Sequence, residues 1–366
     1  MEKQITNRLG FGCMRLPVLE NGEIDIQQVK DMVDLAFENG VNYFDTAYGY
    51  HSEKSEGAVK TALVNRYPRE SYFLADKMPL WKVEKEEDLE VLFNTQLERT
   101  GAGYFDYYLL HAVSNDRVET VRKFNIVNFL KAKQAQGKIV KIGFSYHGDL
   151  EALKDFINDY KWDFIQLQLN YYDMEKGEYK AQYEFVRDLG IPVIVMEPVR
   201  GGFLARTVPN AQKIIEANYG PDKSASLALS YINSLDGVFM VLSGMSNMAQ
   251  VKDNISTFNS PIPMDEKAKK TIADVMTEIN AFKVVDCTKC EYCMPCPVGI
   301  NIPKIFEIYN KYEMFKSDWI IKDYLKEAEV QPTECIGCGV CASHCPQAIA
   351  IPQKIAEFNS VAEKLK

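Results

Sequence analysis

The chain has 366 residues, 46% of them hydrophobic and 25% charged, with a formal net charge of -9. That composition describes a water-soluble protein with a substantial core, long enough for one large domain and a smaller one. The acidic balance argues against nucleic acid or an anionic membrane as partner, and no apolar run is long enough to span a bilayer. The opening MEKQITNRLG lacks the apolar stretch of a signal peptide, so the expected location is cytoplasmic.

Over the first 280 residues, short apolar runs alternate with amphipathic stretches of helical period. Strands are expected at Leu9–Cys13, Asn42–Asp45, Tyr72–Lys77, Asp106–His111, Lys138–Ser145, Phe164–Leu169, Pro192–Met196 and Val238–Leu242. Helices are expected at Ile26–Asn39, Ser55–Asn65, Lys85–Thr100, Lys123–Gln136, Leu150–Asp159, Tyr179–Leu189, Ser224–Ser234 and Met248–Phe258. Gly40, Gly101, Gly137 and Gly190 stand where helices should stop. Strand–helix units repeated this often, with no G-x-G-x-x-G after the first strand, favour a (β/α)8 TIM barrel over an open doubly wound sheet.

In such a barrel, chemistry gathers where strands end on their C-terminal side. The second strand ends at Asp45 in FDTAYGY, the third at Lys77 in FLADKMP and the fourth at His111 in YYLLHAV. Tyr50 follows on the loop after Asp45. Each alone is an ordinary loop or packing residue; together on one rim they form an acid. A phenol is a poor proton donor at neutral pH. An ammonium about 4 Å away favours phenolate by roughly 4 kcal/mol at an effective dielectric near 20, so Lys77 is expected to lower the Tyr50 pKa, with burial opposing. Asp45 would hold Lys77 in place, and His111 would orient a carbonyl that Tyr50 protonates.

Nine cysteines are present, eight of them beyond residue 286. Cys13 reads as a small buried apolar residue. The shift in composition after a helix at Asp265–Ile279 suggests two domains, 1–280 and 281–366. The first cysteine run is Cys287, Cys290, Cys293 and Cys296 with Pro297 next; the second is Cys335, Cys338, Cys341 and Cys345 with Pro346 next. The second has the spacing of the bacterial [4Fe–4S] run, and the first is one residue shorter before its last cysteine. Disulfides do not suit a chain without a secretion signal. Zinc usually takes two C-x2-C pairs across a longer spacer, whereas three cysteines at successive third positions suit a cubane. Between the runs, 301–315 and 318–330 read as two helices.

Residues 1–280 resemble the aldo-keto reductases. The likeness is carried by DTAxxY (Asp45, Tyr50), ADK (Lys77), LLH (His111), KIGFS (Ser145), IQLQLN (Gln166) and SGMSNMAQVKDN at 243–254. In that family Asp, Tyr, Lys and His form the catalytic tetrad. The resemblance implies NADP(H) or NAD(H) across the barrel mouth. Ser145 and Gln166 would hold the carboxamide, and Gly12 and Met14 would lie near the nicotinamide ribose. Ser243, Gly244, Asn247, Gln250 and Asn254 would lie at the adenosine end. Tyr146 replaces the usual Asn after Ser145, with His147 next, and Met196 or Glu197 replaces the usual stacking aromatic. Gly244 and Gln250 stand where basic residues often grip a 2′-phosphate, which leaves the choice of NADP(H) open; Arg200 or Arg206 is a candidate substitute. Trp81, Tyr48, His51 and Tyr146 are candidates to line the substrate pocket.

The whole chain resembles aldo-keto reductases that carry a C-terminal ferredoxin-like domain, mainly helical, with two [4Fe–4S] clusters. In two-cluster ferredoxins the fourth cysteine of each run ligates the other cluster. Carried over, one cluster takes Cys287, Cys290, Cys293 and Cys345, the other Cys335, Cys338, Cys341 and Cys296. The leading expectation is an oxidoreductase acting on a small-molecule carbonyl or alcohol, its clusters structural or regulatory. A second reading has the clusters exchange electrons with a ferredoxin or flavoprotein. A third is a nicotinamide or redox sensor without turnover.

Overall fold

The computed structural model describes residues 3–365; Met1 and Lys366, at the outer ends of the two expected domains, lie outside the described residues. Eight parallel strands close into a barrel in chain order. They are β1 (Leu9–Gly12), β2 (Tyr43–Asp45), β3 (Phe73–Met78), β4 (Phe105–Val113), β5 (Ile139–Tyr146), β6 (Phe164–Gln168), β7 (Val193–Met196) and β8 (Val238–Gly244). The strands are almost wholly buried because helices cover one face and side chains fill the other. Tyr43, Ala75, Tyr107, Leu109, Phe164, Ile194, Met240 and Leu242 make the inner cluster, so the barrel is a packed core and not a pore. The (β/α)8 expectation therefore holds.

The covering helices are α1 (Ile26–Glu38), α2 (Ser55–Val59, continued by a π-helical turn Lys60–Val64), α3 (Glu87–Thr100), α4 (Asn115–Lys123), α5 (Ile126–Ala135), α6 (Leu150–Asn158) and α7 (Tyr179–Asp188). They continue as α9 (Ser224–Asn233) and α10 (Met248–Asn259); the chain also forms α8 (Pro209–Tyr219) and α11 (Glu266–Asn280). Two features depart from the sequence pattern. The helix expected over Lys123–Gln136 is α5, but α4 before it was not expected; Asn125, with a left-handed φ of +50°, separates the two. Helix α8, started by Pro209, was not expected at all.

The described residues form two compact units. One holds the chain as far as Val199 together with Ser226–Asp265; the other holds Arg200–Ala225 and Glu266 onward. The second unit thus takes in α8 and α11, which precede residue 281. It also holds α12 (Ile302–Phe315), α13 (Asp318–Glu327), α14 (Val340–Ser343) and α15 (Ile351–Lys364), of which the first two match the helices expected between the cysteine runs. Its apolar core of Ile300, Ile305, Phe306, Ile321, Ile355 and Phe358 is packed around the cysteines. Among the described residues no helix is long and apolar enough to cross a membrane.

Candidate active site and candidate metal centres

Strand register brings the barrel's polar strand ends to one level. Gly12 pairs with Asp45 on one side and with Gly244 on the other, and Asp45 pairs with Ala75 of β3. Alternation along β3 then turns Lys77 inward. Lys77 is completely buried, and its Nζ donates to Asp45 Oδ1 at 2.6 Å and to the Thr46 carbonyl at 2.7 Å. The same Nζ lies 4.9 Å from the centroid of the Tyr50 ring. That ring meets the His111 ring edge-on at 5.9 Å. All four expected tetrad residues therefore converge.

The expected lowering of the Tyr50 pKa is not what the site produces. Burial pushes the phenol well above its ordinary value, and Asp45, Glu197, Cys13 and Asp76 add to the rise. The reason is geometric. Lys77 is committed to Asp45 and to the Thr46 carbonyl. Burial also raises Asp45, with Lys77 pulling it back. Burial, then Lys77, His147 and Arg117, hold His111 well below the usual imidazole range, so it is neutral. The site is a protonated phenol and a neutral imidazole flanking one buried ion pair.

Around the tetrad stand Arg15 and Arg117, which sequence pattern did not single out, and Glu197, which it marked only in place of a stacking aromatic. Arg15 reaches Glu197 at 3.4 Å, across from β1 to the end of β7, where Glu197 has a left-handed φ of +55° and its carbonyl accepts from Asn170. The Arg117 guanidinium lies 5.6 Å from the Trp81 ring and donates to the Ala112 carbonyl. None sits in a motif; a signal for Arg117 existed only in its place shortly after the β4 end. Of the four expected pocket residues, Trp81 is 40% exposed and lies 5.0 Å from His111. The other three secure loops. Tyr48 is covered by Arg99 and Lys82, His51 Nε2 accepts from the Leu16 amide, and the Tyr146 hydroxyl donates to the Asp149 carbonyl.

The residues expected near a nicotinamide dinucleotide fit it in part through what they leave open. Gln166 is buried, donates to Met196 Sδ at 3.4 Å, and has no donor for its Oε1. Ser145 Oγ accepts from the Ala112 amide at 2.8 Å, which leaves its proton to donate. A carbonyl acceptor beside a hydroxyl donor suits a carboxamide. A Cβ on Gly12 would crowd the Ser243 carbonyl at 3.2 Å. Met14 is half-buried on the turn after β1. At the other end, Ser243 Oγ accepts from Asn254 at 2.8 Å, Asn247 caps α10 through the Gln250 amide, and Gln250 Oε1 accepts from the Ser246 amide. These side chains shape the loop from Gly244 to α10, whose first amides form an anion-attracting end. Arg200 pairs with Asp286 at 3.3 Å, and Arg206 lines a polar depression with Lys213 and Asp222.

In the second unit the eight late cysteines fall into two sets. Cys287, Cys290, Cys293 and Cys345 line one cavity, walled by Phe306, Ile349 and Ile351. Cys296, Cys335, Cys338 and Cys341 line the other, walled by Ile300, Ile302 and Ile355. Each set takes its last member from the other run. Burial pushes the Cys293 thiol up to about 12, with Cys290, Cys287 and Cys345 adding to the rise, as neighbouring sulfurs should. Four sulfurs line each of the two spaces. That donor chemistry suits a polynuclear cluster.

The profile of the Aldo/keto reductase family matches residues 8–274, and that of a 4Fe-4S dicluster domain matches residues 286–350. The chain belongs to the aldo/keto reductase family and is an oxidoreductase of that type, extended by a C-terminal 4Fe-4S dicluster domain. It is 26% identical over 288 residues to an NADH-specific methylglyoxal reductase of Escherichia coli, covering 65% of this chain and 85% of that one. An aldo-keto reductase from Bacillus halodurans in its holo form superposes with a TM-score of 0.58 at 24% identity, over 73% of this chain and 91% of that one. A Klebsiella pneumoniae aldo-keto reductase in complex with NADPH superposes at 0.57 with 17% identity, over 76% and 95%.

Proposed function

We propose that the barrel site interconverts a small carbonyl compound and its alcohol, with NADP(H) or NAD(H) as cofactor. The observation that carries this reading is Lys77, held by Asp45 at 2.6 Å and facing Tyr50 at 4.9 Å. Gln166 and Ser145 would hold the carboxamide of a nicotinamide, which would supply the hydride chemistry. The chain's own part is the proton. Tyr50 stays protonated at neutral pH and gives its proton to the oxygen only as that oxygen becomes strongly basic. The phenolate that results then faces the Lys77 ammonium. His111, neutral, directs the carbonyl by hydrogen bonding. Tyr50 and His111 are themselves buried, which limits competition from water. The NADPH-bound and NADH-specific relatives support a nicotinamide cofactor without deciding between the two. Anaerobic oxidation of each dinucleotide with a series of aldehydes and ketones tests this reading. Dinucleotide binding with no carbonyl-dependent oxidation would reject it in favour of a sensor.

The second unit is proposed to hold two [4Fe–4S] clusters on the two crossed cysteine sets. Such clusters supply one-electron chemistry, whereas nicotinamide moves electrons in pairs. One observation favours an electron partner such as a ferredoxin or flavoprotein. Cys338 is exposed, and its neighbours Ile336 and Val340 are 67% and 46% exposed, so the sulfur is rimmed by apolar surface. Carbonyl reduction driven by a one-electron donor in the absence of added dinucleotide would establish that coupling.

A further inference from the structure

Behind the tetrad lie two carboxyl groups that the proton transfer above does not use. Asp76 precedes Lys77 on β3 and Glu56 stands in the first turn of α2; both are completely buried. Asp76 Oδ1 accepts from the Lys77 amide and from Gln96 Nε2, each at 2.8 Å. Glu56 Oε2 accepts from Arg99 at 3.1 Å. The remaining oxygens, Asp76 Oδ2 and Glu56 Oε1, are buried with no donor, yet the two carboxyls are within hydrogen-bonding reach of each other. Two carboxylates in contact cannot both stay ionised out of water; one proton between them supplies the missing donor. Consistent with this, burial first and then Glu56 push Asp76 far above the usual carboxylate range, and burial raises Glu56 against the pull of Arg99.

The placement of this contact gives it a role. Asp76 is bonded to the amide of Lys77. Glu56 follows Ser55, whose hydroxyl lies 2.9 Å from Thr46 Oγ1 and donates to the Cys13 carbonyl. The segment between Thr46 and Ser55 carries Tyr50. The contact therefore joins the strand of the ammonium to the segment of the phenol.

We propose that Asp76 and Glu56 share a single proton and are positioning residues: the hydrogen bond between them clamps β3 to the Asp45–Glu56 segment and so sets Lys77 against Tyr50. The charged and titratable groups that face the pair are Lys77 on β3, Arg99 on α3 with Glu53 on its other nitrogen, Tyr108 on β4 through Gln96, and Tyr50 and Cys13 on the site side. Arg99, bonded to Glu56, faces one negative charge on the pair. Loss of the shared proton puts a second negative charge into contact with the first, and the clamp opens. The catalytic consequence rests on the tetrad reading; the shared proton does not.

Infrared difference spectroscopy of the full-length holoprotein tests the proton. A carboxylic-acid carbonyl stretch is expected at neutral pH in the parent protein and is lost in Asp76→Asn, whose amide gives Glu56 a permanent donor. Absence of any such Asp76-dependent band overturns the proposal. The clamp is read at Tyr50 by carbon-13 tyrosine spectra, with Tyr50→Phe giving the assignment. Asp76→Ala should shift the pH at which Tyr50 titrates, and Asp76→Asn should restore it. Turnover follows the same order. Asp76→Ala should lower kcat at least tenfold with KM changed less than threefold, by the loss of positioning. Asp76→Asn should recover most of that kcat and lack the alkaline fall of the parent. Identical Tyr50 titration in all three proteins overturns the clamp, whether or not carbonyl turnover is found. Failure of turnover alone removes the tetrad reading and leaves the band and the Tyr50 titration to decide the pair.

Discussion

The ammonium of Lys77 stands 4.9 Å from the centroid of the Tyr50 ring, inside a site where burial holds that phenol protonated. Tyr50 is thus a reserve acid whose proton leaves only for a strong base. Tyr50→Phe keeps the ring and its packing against His111 and removes the proton. Carbonyl reduction should fall about 10²–10⁴-fold in kcat, while dinucleotide affinity stays within about twofold. Steady-state kinetics and fluorescence titration of the dinucleotide check this. An undiminished kcat would remove Tyr50 as the acid.

Gln166 gives a prediction with two opposite signs. Its Oε1 is buried with no donor, which is a cost to the protein without cofactor. Gln166→Leu removes that cost, so the cofactor-free protein should become more stable by about 1 kcal/mol. If the same oxygen receives the carboxamide, dinucleotide binding should weaken about tenfold, the equivalent of about 1.4 kcal/mol. Thermal melts with and without dinucleotide measure both. A melt that rises equally in the two states would show that Gln166 has no part in binding.

Two imidazoles predict how stability depends on acid. His111 lies well below the ordinary value near 6.5, and burial, then Arg117, hold His147 at about 4. Both are depressed on folding. Their stabilising contribution is therefore complete above pH 6.5 and is lost as pH falls from there toward the folded values, because the unfolded chain takes up the protons first. Each fully excluded proton costs about 1.4 kcal/mol per pH unit. His147 keeps some contact with solvent, which trims its share to about 2 kcal/mol at pH 4. Denaturant unfolding between pH 4 and 7 should show His147→Gln losing less stability on acidification than the parent. Parallel curves would contradict the assignment.

Much of this was legible because it is written in periodicity and spacing. Apolar strands between helical stretches gave the barrel, and polar residues closing those strands gave Asp45, Lys77 and His111 as neighbours. What escaped was set by backbone conformation or by distance in the chain. Asn125 ends a helix through a left-handed φ that Asn adopts more readily than most residues but that no periodicity marks. Asp76 reads as one more strand residue; only the fold brings it against Glu56 and makes it a buried acid. The direction of the Tyr50 shift is not legible in the sequence, because spacing places a charge nearby but does not reveal the depth of burial that outweighs it.

The crossed cysteine sets make a prediction that the order of residues alone does not. Cys345 lines the cavity of the first run and Cys296 that of the second. Cys345→Ser should therefore resemble Cys293→Ser, and Cys296→Ser should resemble Cys335→Ser. Each should lose or perturb about four of about eight irons, as two [4Fe–4S] clusters require. Iron analysis with electron paramagnetic resonance of the reduced protein separates the pairs. If Cys345→Ser shared the spectrum of Cys335→Ser, the sets would follow the runs instead.

Gly201 and Gly202 provide a matched test of how closely the second unit is built around its first cysteine set. Both have left-handed φ, +62° and +89°, so alanine strains either by about 1–2 kcal/mol. A Cβ on Gly202 meets nothing within 4 Å, whereas one on Gly201 would lie 2.2 Å from the Thr288 carbonyl. Thr288 follows Cys287, and the neighbouring Arg200 is paired with Asp286. Gly201→Ala must therefore displace the backbone that carries Cys287, while Gly202→Ala need not. Gly201→Ala should lose up to half of the bound iron and the signal that Cys293→Ser also loses; Gly202→Ala should keep both. Equal iron content and identical spectra in the two variants would mean that the close contact with Thr288 places no constraint on the cysteine loop.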